Sequence, residues 1–207
     1  MNRKEKIKTV LKILKEKYNF KVKRDEPFKV LVTTILSQRT KDEITKFSSE
    51  RLLEKVKTPE KLLSLKSKEI EKLIYPVGFY KQKAKGLKKL SKILIEKYNG
   101  KVPNNLEELK KLPLVGDKTA SCVLLFGFNK KTIPVDTHVA RISKRLGLVE
   151  KNLSPEKIRI ELEKILKGKD RKIVNQLFIQ FGKEICKPIR PKCKECKIKK
   201  YCEFYES

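Results

Sequence analysis

Apolar residues recur at helical spacing through almost the whole chain, and nowhere do they alternate with the two-residue period of a half-buried strand. The pattern is clearest at the N-terminus. There Ile7, Val10, Leu11 and Leu14 stand at i, i+3, i+4 and i+7 and define one face of an amphipathic first helix. Further helices are predicted at 28–38, 43–56, 59–65, 68–75, 82–98, 106–112, 118–128, 137–146, 155–167 and 170–185. Several carry local start signals: Thr58 before Pro59, Ser154 before Pro155, and Asn105 three residues before Glu108 in a variant of the capping box. The fold class that follows is all-α. Breaks fall at Asn99-Gly100-Lys101-Val102-Pro103, from Asn129 to Pro134, and after Cys186, where Pro188 and Pro191 interrupt the pattern.

The last 22 residues cannot form a conventional core, and they hold four of the five cysteines in the spacing C-x6-C-x2-C-x5-C. In a reducing compartment clustered thiols are metal ligands more often than disulfides, because thiolates bind soft metals strongly. Cys186, Cys193, Cys196 and Cys202 are therefore expected to hold one metal centre. Zinc sites usually come as two short C-x2-4-C knuckles. Only Cys193 and Cys196 form such a pair here, and the wider spacing on either side favours a [4Fe–4S] cluster, with zinc as the alternative. Cys122, in the apolar stretch SCVLLFGF, reads as a small core residue. Between the first two ligands, Lys187, Arg190 and Lys192 lie on a loop stiffened by two prolines. Such a loop is either a solvated connector or, pinned at both ends to a cluster, a phosphate contact; the second reading is preferred.

Charge then narrows the partner. With 53 Lys+Arg against 25 Asp+Glu the formal net charge is +28, lopsided for an enzyme of a small neutral substrate and suited to a polyanion. Adaptation to high temperature would raise both signs together and does not account for the excess of lysine. No stretch approaches the roughly 20 apolar residues of a spanning helix, and the N-terminal segment mixes charge with apolar residues, so an intracellular protein is expected.

The segment from Leu109 to Ala120, LKKLPLVGDKTA, reads as a helix, a tight Pro/Gly turn and a second helix starting near Lys118, which is a helix–hairpin–helix. Such a turn aims backbone N–H groups at a phosphate. An amine at a helix N-terminus among many cations is disfavoured as ammonium, which would make Lys118 nucleophilic. Most lysines in so basic a chain are solvated charges, so chemistry at Lys118 needs a partner. Asp136, in Ile133-Pro134-Val135-Asp136-Thr137-His138, is the candidate. It can equally be the N-cap of the helix that follows, and the two roles can coexist. His138, the single histidine, reads as structural or as a DNA contact.

Taken together, Leu36-Ser37-Gln38, Val77-Gly78-Phe79-Tyr80, Leu112-Pro113-Leu114-Val115-Gly116-Asp117-Lys118-Thr119-Ala120, Val135-Asp136-Thr137-His138 and the 6-2-5 cysteine pattern resemble the endonuclease III family of DNA glycosylases across nearly the whole chain. The resemblance implies two helical domains, a six-helix domain at 20–131 and a cluster domain from 1–19 plus 132–207, with DNA in the groove between them. It implies a monomer acting on double-stranded DNA with a damaged base or an abasic site. A damaged pyrimidine would be flipped out, with Gln38 and Phe79 filling the gap and wedging the stack; without the resemblance, Gln38 reads as a helix-terminal polar residue and Phe79 as a core aromatic. Backbone groups of the hairpin at Leu114 and Gly116 would contact phosphate. One departure stands out: the family hairpin commonly has glycine where this chain has Leu114. A leucine resists positive φ, so a locally different turn is expected.

The resemblance also implies a mechanism. Lys118 attacks C1′ of the flipped nucleotide, Asp136 stabilises the cationic sugar, and a Schiff base permits β-elimination, so that one protein acts as glycosylase and abasic-site lyase. A monofunctional relative of the adenine-removing or thymine-mismatch kind would usually keep the aspartate and lack this lysine. A non-catalytic DNA-binding module would need only the hairpin, the basic surface and a structural metal.

Overall fold

A computed structural model of the chain describes residues 1–20 and 23–206, the last of these by its backbone. Among the described residues there is no strand. In chain order the helices are α1 (Arg3–Lys17), α2 (Pro27–Ser37), α3 (Asp42–Lys55), α4 (Pro59–Ser64), α5 (Ser67–Ile74), α6 (Tyr80–Tyr98), α7 (Leu106–Lys110), α8 (Asp117–Cys122), α9 (Thr137–Arg145), α10 (Pro155–Ile165), α11 (Lys169–Glu184) and α12 (Glu203–Glu206). They divide into two compact units, Arg24–Lys130 and Met1–Lys23 with Lys131–Ser207. Positions 21, 22 and 207, which the expected domain ranges 20–131 and 1–19 plus 132–207 include, lie outside the described residues.

In the Arg24–Lys130 unit, α2 is apolar nearly all round. Phe28, Val30, Leu31, Val32, Ile35 and Leu36 are all buried, so this helix is the centre of its core. Around it pack α3, α6, α8 and the five-residue π-helical turn Val123–Gly127 that continues α8. The start signals act as caps: the Thr58 side chain accepts from Lys61 N at 3.3 Å, and Asn105 accepts from Glu108 N at 2.9 Å. Only half of the expected capping box forms at Asn105. The Glu108 carboxylate instead accepts from Tyr98 Oη and Lys111 Nζ, each at 2.6 Å.

In the other unit, α1 lies against α11, which packs on α9, and α9 meets α10. Ile7, Val10, Leu11 and Leu14, the face read from the sequence, are buried. Each contributes about 1.5–3 kcal/mol, which an isolated helix of this length needs in order to persist. The C-terminal segment is short turns, Cys193–Glu195 and Lys199–Tyr201, followed by α12.

Candidate functional site

The hairpin comes first. After α7, Leu112 N donates to Leu109 O and Val115 N to Leu112 O. The α8 ladder then opens with Ala120 N on Gly116 O at 2.9 Å. First-turn amides of a helix have no intrahelical carbonyl, so this end of α8 is a donor surface. Lys118 is its second residue and is half-buried. Gly116 is exposed, and a Cβ built on it would meet nothing within 4 Å, which leaves open space in front of the turn.

Leu114 takes φ +66, the left-handed conformation that a leucine was expected to resist. Two contacts offset a cost of about 1–2 kcal/mol. Its side chain packs where Gly86 of α6 has none: a Cβ there would sit 2.5 Å from Leu114 Cδ1 and 2.8 Å from Cγ. Its carbonyl accepts from Gln38 Nε2 at 2.8 Å, and the same amide donates to Thr119 Oγ1 at 3.2 Å. Gln38, at the C-cap of α2, thus ties that loop to the hairpin beside Lys118, and its amide is occupied in doing so.

Next to it, Arg39 is exposed with φ +51, and Phe79, the N-cap of α6, is 54% exposed with φ +58. The guanidinium lies 5.6 Å from the Phe79 ring centre. Arg39 is not among the residues that the sequence pattern singles out, and the partners of Gln38 lie too far along the chain for that pattern to show. Beneath this pair Lys83 of α6 is buried. Its Nζ donates to Leu36 O at 2.9 Å, Gln38 O at 2.5 Å and Thr40 Oγ1 at 3.4 Å. Burial pulls its pKa down to about 8. Thr40 Oγ1 in turn accepts from Gly78 N at 3.1 Å, and a Cβ on Gly78 would meet Arg39 O at 2.4 Å. The loops that carry Arg39 and Phe79 are fastened together.

In the other unit Asp136 is half-buried at the N-cap of α9, its Oδ1 accepting from Val139 N at 2.8 Å. The segment before it is held by polar side chains of α10 and α11. Glu163 Oε1 accepts from Thr132 Oγ1 at 2.7 Å and from Ile133 N at 3.1 Å, and Asn175 Nδ2 donates to Pro134 O at 2.8 Å. His138 is half-buried; its Nδ1 lies 3.1 Å from Arg141 Nη2 and faces Gly182 of α11.

Cys186, Cys193, Cys196 and Cys202 line one small pocket, with Ile142, Leu146, Phe181 and Ile198 among its apolar walls. No disulfide joins any of the five cysteines. Burial pushes the Cys196 and Cys202 thiols up, and both feel the charges of Cys186 and Cys193. Among the described residues no three His, Cys, Asp or Glu side chains converge closely enough to hold a single metal ion. Two arginines one turn apart on α9 brace the segment. Arg141 Nε donates to Cys186 O at 3.0 Å; Arg145 Nη1 donates to Cys186 Sγ at 3.3 Å and to Lys187 O at 2.8 Å, and its Nη2 to Pro188 O at 3.1 Å. Neither was singled out from sequence, although their i, i+4 spacing on one face of a predicted helix was visible. Lys187, Arg190 and Lys192 are exposed on the loop, Lys192 Nζ lying 3.7 Å from Glu195. No helix among the described residues is long and apolar enough to cross a membrane.

Residues 32–168 match the HhH-GPD superfamily of base excision DNA repair proteins. The chain is 48% identical over 183 residues to Endonuclease III of Thermotoga maritima, covering 88% of this chain and 85% of that protein. Among solved structures it is similar to a trapped endonuclease III–DNA covalent intermediate in an estranged-adenine complex, with a TM-score of 0.90, 34% identity and coverage of 100% of this chain and 98% of that one. It is also similar to a thermostable thymine-DNA glycosylase, with a TM-score of 0.87, 30% identity and coverage of 99% and 96%.

Proposed function

The chain belongs to the HhH-GPD superfamily of base excision DNA repair proteins, in its endonuclease III group, and from that premise we propose that it removes damaged bases, oxidised pyrimidines foremost, from duplex DNA and then cleaves the abasic site. The observation that carries this is its likeness along the full chain to an endonuclease III trapped covalently on DNA. A covalent intermediate needs a nucleophile, and Lys118 is the amine that the hairpin carries at the start of α8.

In this mechanism a nucleotide leaves the stack and the Lys118 amine attacks its C1′ as the glycosidic bond breaks, the base departing with the bonding pair. Asp136 stabilises the positive charge that develops on the sugar. Loss of the amine protons and opening of the sugar ring give a Schiff base between Lys118 and C1′. Removal of a C2′ proton then expels the 3′ phosphate. Phe79 wedges the stack, while Leu114, Gly116, His138, Lys187, Arg190 and Lys192 contact the DNA from their own elements. Lys118 separates this reaction from that of a monofunctional glycosylase. The enzyme acts as a monomer on double-stranded DNA.

The four cysteines fit a [4Fe–4S] cluster better than zinc: they line one apolar-walled pocket, and only Cys193 and Cys196 have the short spacing of a zinc knuckle. Cys186, Cys193, Cys196 and Cys202 would hold it, and it would supply a rigid anchor for the loop that bears Lys187, Arg190 and Lys192. Four thiolate ligands leave no open position for hydrolytic metal chemistry, so the reaction rests on Lys118 and Asp136.

Purified protein incubated with duplexes carrying thymine glycol, uracil, 8-oxoguanine or an abasic site tests this directly. Release of the oxidised pyrimidine together with strand scission is expected; base release that leaves every strand intact would reduce the protein to a monofunctional glycosylase.

A further inference from the structure

We propose that Asn175, buried on α11, is a positioning residue for Asp136: its amide grips the chain two residues upstream and fixes where the carboxylate stands when the sugar becomes cationic. The inference rests on the proposed function, in which that carboxylate balances the charge on the sugar.

All the residues concerned lie in one unit. Thr132, Ile133, Pro134 and Val135 are buried on the way into α9, and a buried stretch of chain outside any helix must find partners for its backbone polar groups. Side chains supply them. Glu163 Oε1 accepts from Ile133 N at 3.1 Å and from Thr132 Oγ1 at 2.7 Å, and Asn175 Nδ2 donates to Pro134 O at 2.8 Å. Glu163 is held in turn by Arg159, whose Nη1 donates to Oε2 at 3.3 Å. Asn175 is 4% exposed and stands on α11 among Ile173, Val174, Leu177 and Phe178, all buried. An amide in such company costs stability unless it is hydrogen-bonded, and packing alone would be served by another apolar side chain. The bond to Pro134 O is therefore what an asparagine supplies at this position.

The anchors lie where they control Asp136. Proline fixes its own φ and confines the residue before it to extended conformations, so Ile133 and Pro134 have little freedom of their own. Once Ile133 N and Pro134 O are held, only Val135 separates the grip from Asp136, and Val135 is itself buried with a stiff, branched side chain. Downstream, Asp136 Oδ1 accepts from Val139 N at 2.8 Å. The carboxylate is thus located from both sides, by α10 and α11 through the chain before it and by α9 through its own cap. Electrostatic stabilisation of a transition state is strongest when the charged group needs no reorganisation, and a misplacement of about 1 Å can cost about a hundredfold in rate. Asn175 acts through Asp136 and needs no contact with the substrate.

The test uses the full chain, a duplex containing thymine glycol, and single-turnover base release over a range of enzyme concentrations. Asn175→Leu removes the amide at similar volume. Its plateau rate is expected to fall about tenfold while the half-saturating concentration stays within about twofold of wild type, the signature of an interaction made in the transition state. The deciding comparison is made in Asp136→Asn, where a residue that acts through the Asp136 charge has nothing left to position. There Asn175→Leu should cost less than about threefold, whereas independent effects would multiply. Thr132→Val loosens the same segment from its Glu163 side at nearly the same shape; it should give a smaller loss that also vanishes in Asp136→Asn, and it carries the test if Asn175→Leu does not fold. A full rate in the variant that folds, a loss in affinity alone, or an equal loss of rate in both backgrounds overturns the proposal while leaving base release standing. If Asp136→Asn itself releases base at the wild-type rate, the role of Asp136 falls and the positioning with it. If wild type releases no base, the repair function falls first.

Discussion

At Asp136 one carboxylate oxygen caps α9, so an alanine substitution would remove helix stability, about 0.5–2 kcal/mol, together with the charge. Asparagine separates the two, since it caps a helix as well as aspartate does. Asp136→Asn is expected to unfold within about 0.5 kcal/mol of wild type, while single-turnover base release slows about a hundredfold for want of the charge that balances the cationic sugar. Melting and kinetics on the same preparation check this; unchanged base release would leave Asp136 a helix cap and nothing more.

Between elements, the contact of α6 with the hairpin turn is a matched pair of compromises, a glycine inside a helix and a leucine at positive φ. Gly86→Ala should gain helix propensity yet lose about 1–3 kcal/mol by crowding Leu114. In a Leu114→Gly background the same change should stabilise by about 0.5–1 kcal/mol, and a double-mutant cycle in urea reads the sign reversal. Lys83 gives the same region a pH signature. Below about pH 8 it is charged in both folded and unfolded chains, and the cost of burying that charge is present in full. Between there and the ordinary lysine value of 10.5 the unfolded chain holds more protons, so stability rises with pH. The stability of wild type minus that of Lys83→Met should therefore increase from about pH 7.5 to about pH 10; a flat or falling difference contradicts the burial cost.

The same elements show what the sequence made legible. Helix periods and caps were readable because they are local: the buried face of α1 and the caps at Thr58 and Asn105 depend on residues within two turns. The strut from Gln38 to Leu114 spans 76 residues, and the acceptance of positive φ at Leu114 depends on a glycine in another helix. No pattern within either segment announces the other. For that reason Gln38 was legible as important, its occupied amide was not, and Arg39 went unremarked. The π-helical turn after α8 was equally silent, since Val123–Gly127 is apolar and reads as more α-helix.

For the molecule as a whole, a net charge of +28 makes DNA affinity steeply dependent on salt. Replacing Lys187, Arg190 and Lys192 together by alanine should weaken binding to undamaged duplex and reduce the slope of log affinity against log salt by about 2–3, at roughly 0.9 per phosphate contact. Iron content should remain at about four per chain, because none of the three supplies a ligand. A slope that does not change would return the loop to a solvated connector.

In the proposed mechanism Lys118 forms the covalent bond to the sugar. Borohydride added during turnover on damaged duplex should trap a protein–DNA adduct that peptide mapping assigns to Lys118, and Lys118→Ala, folded and still binding the duplex, should give none. An adduct of undiminished yield in Lys118→Ala would contradict the mechanism.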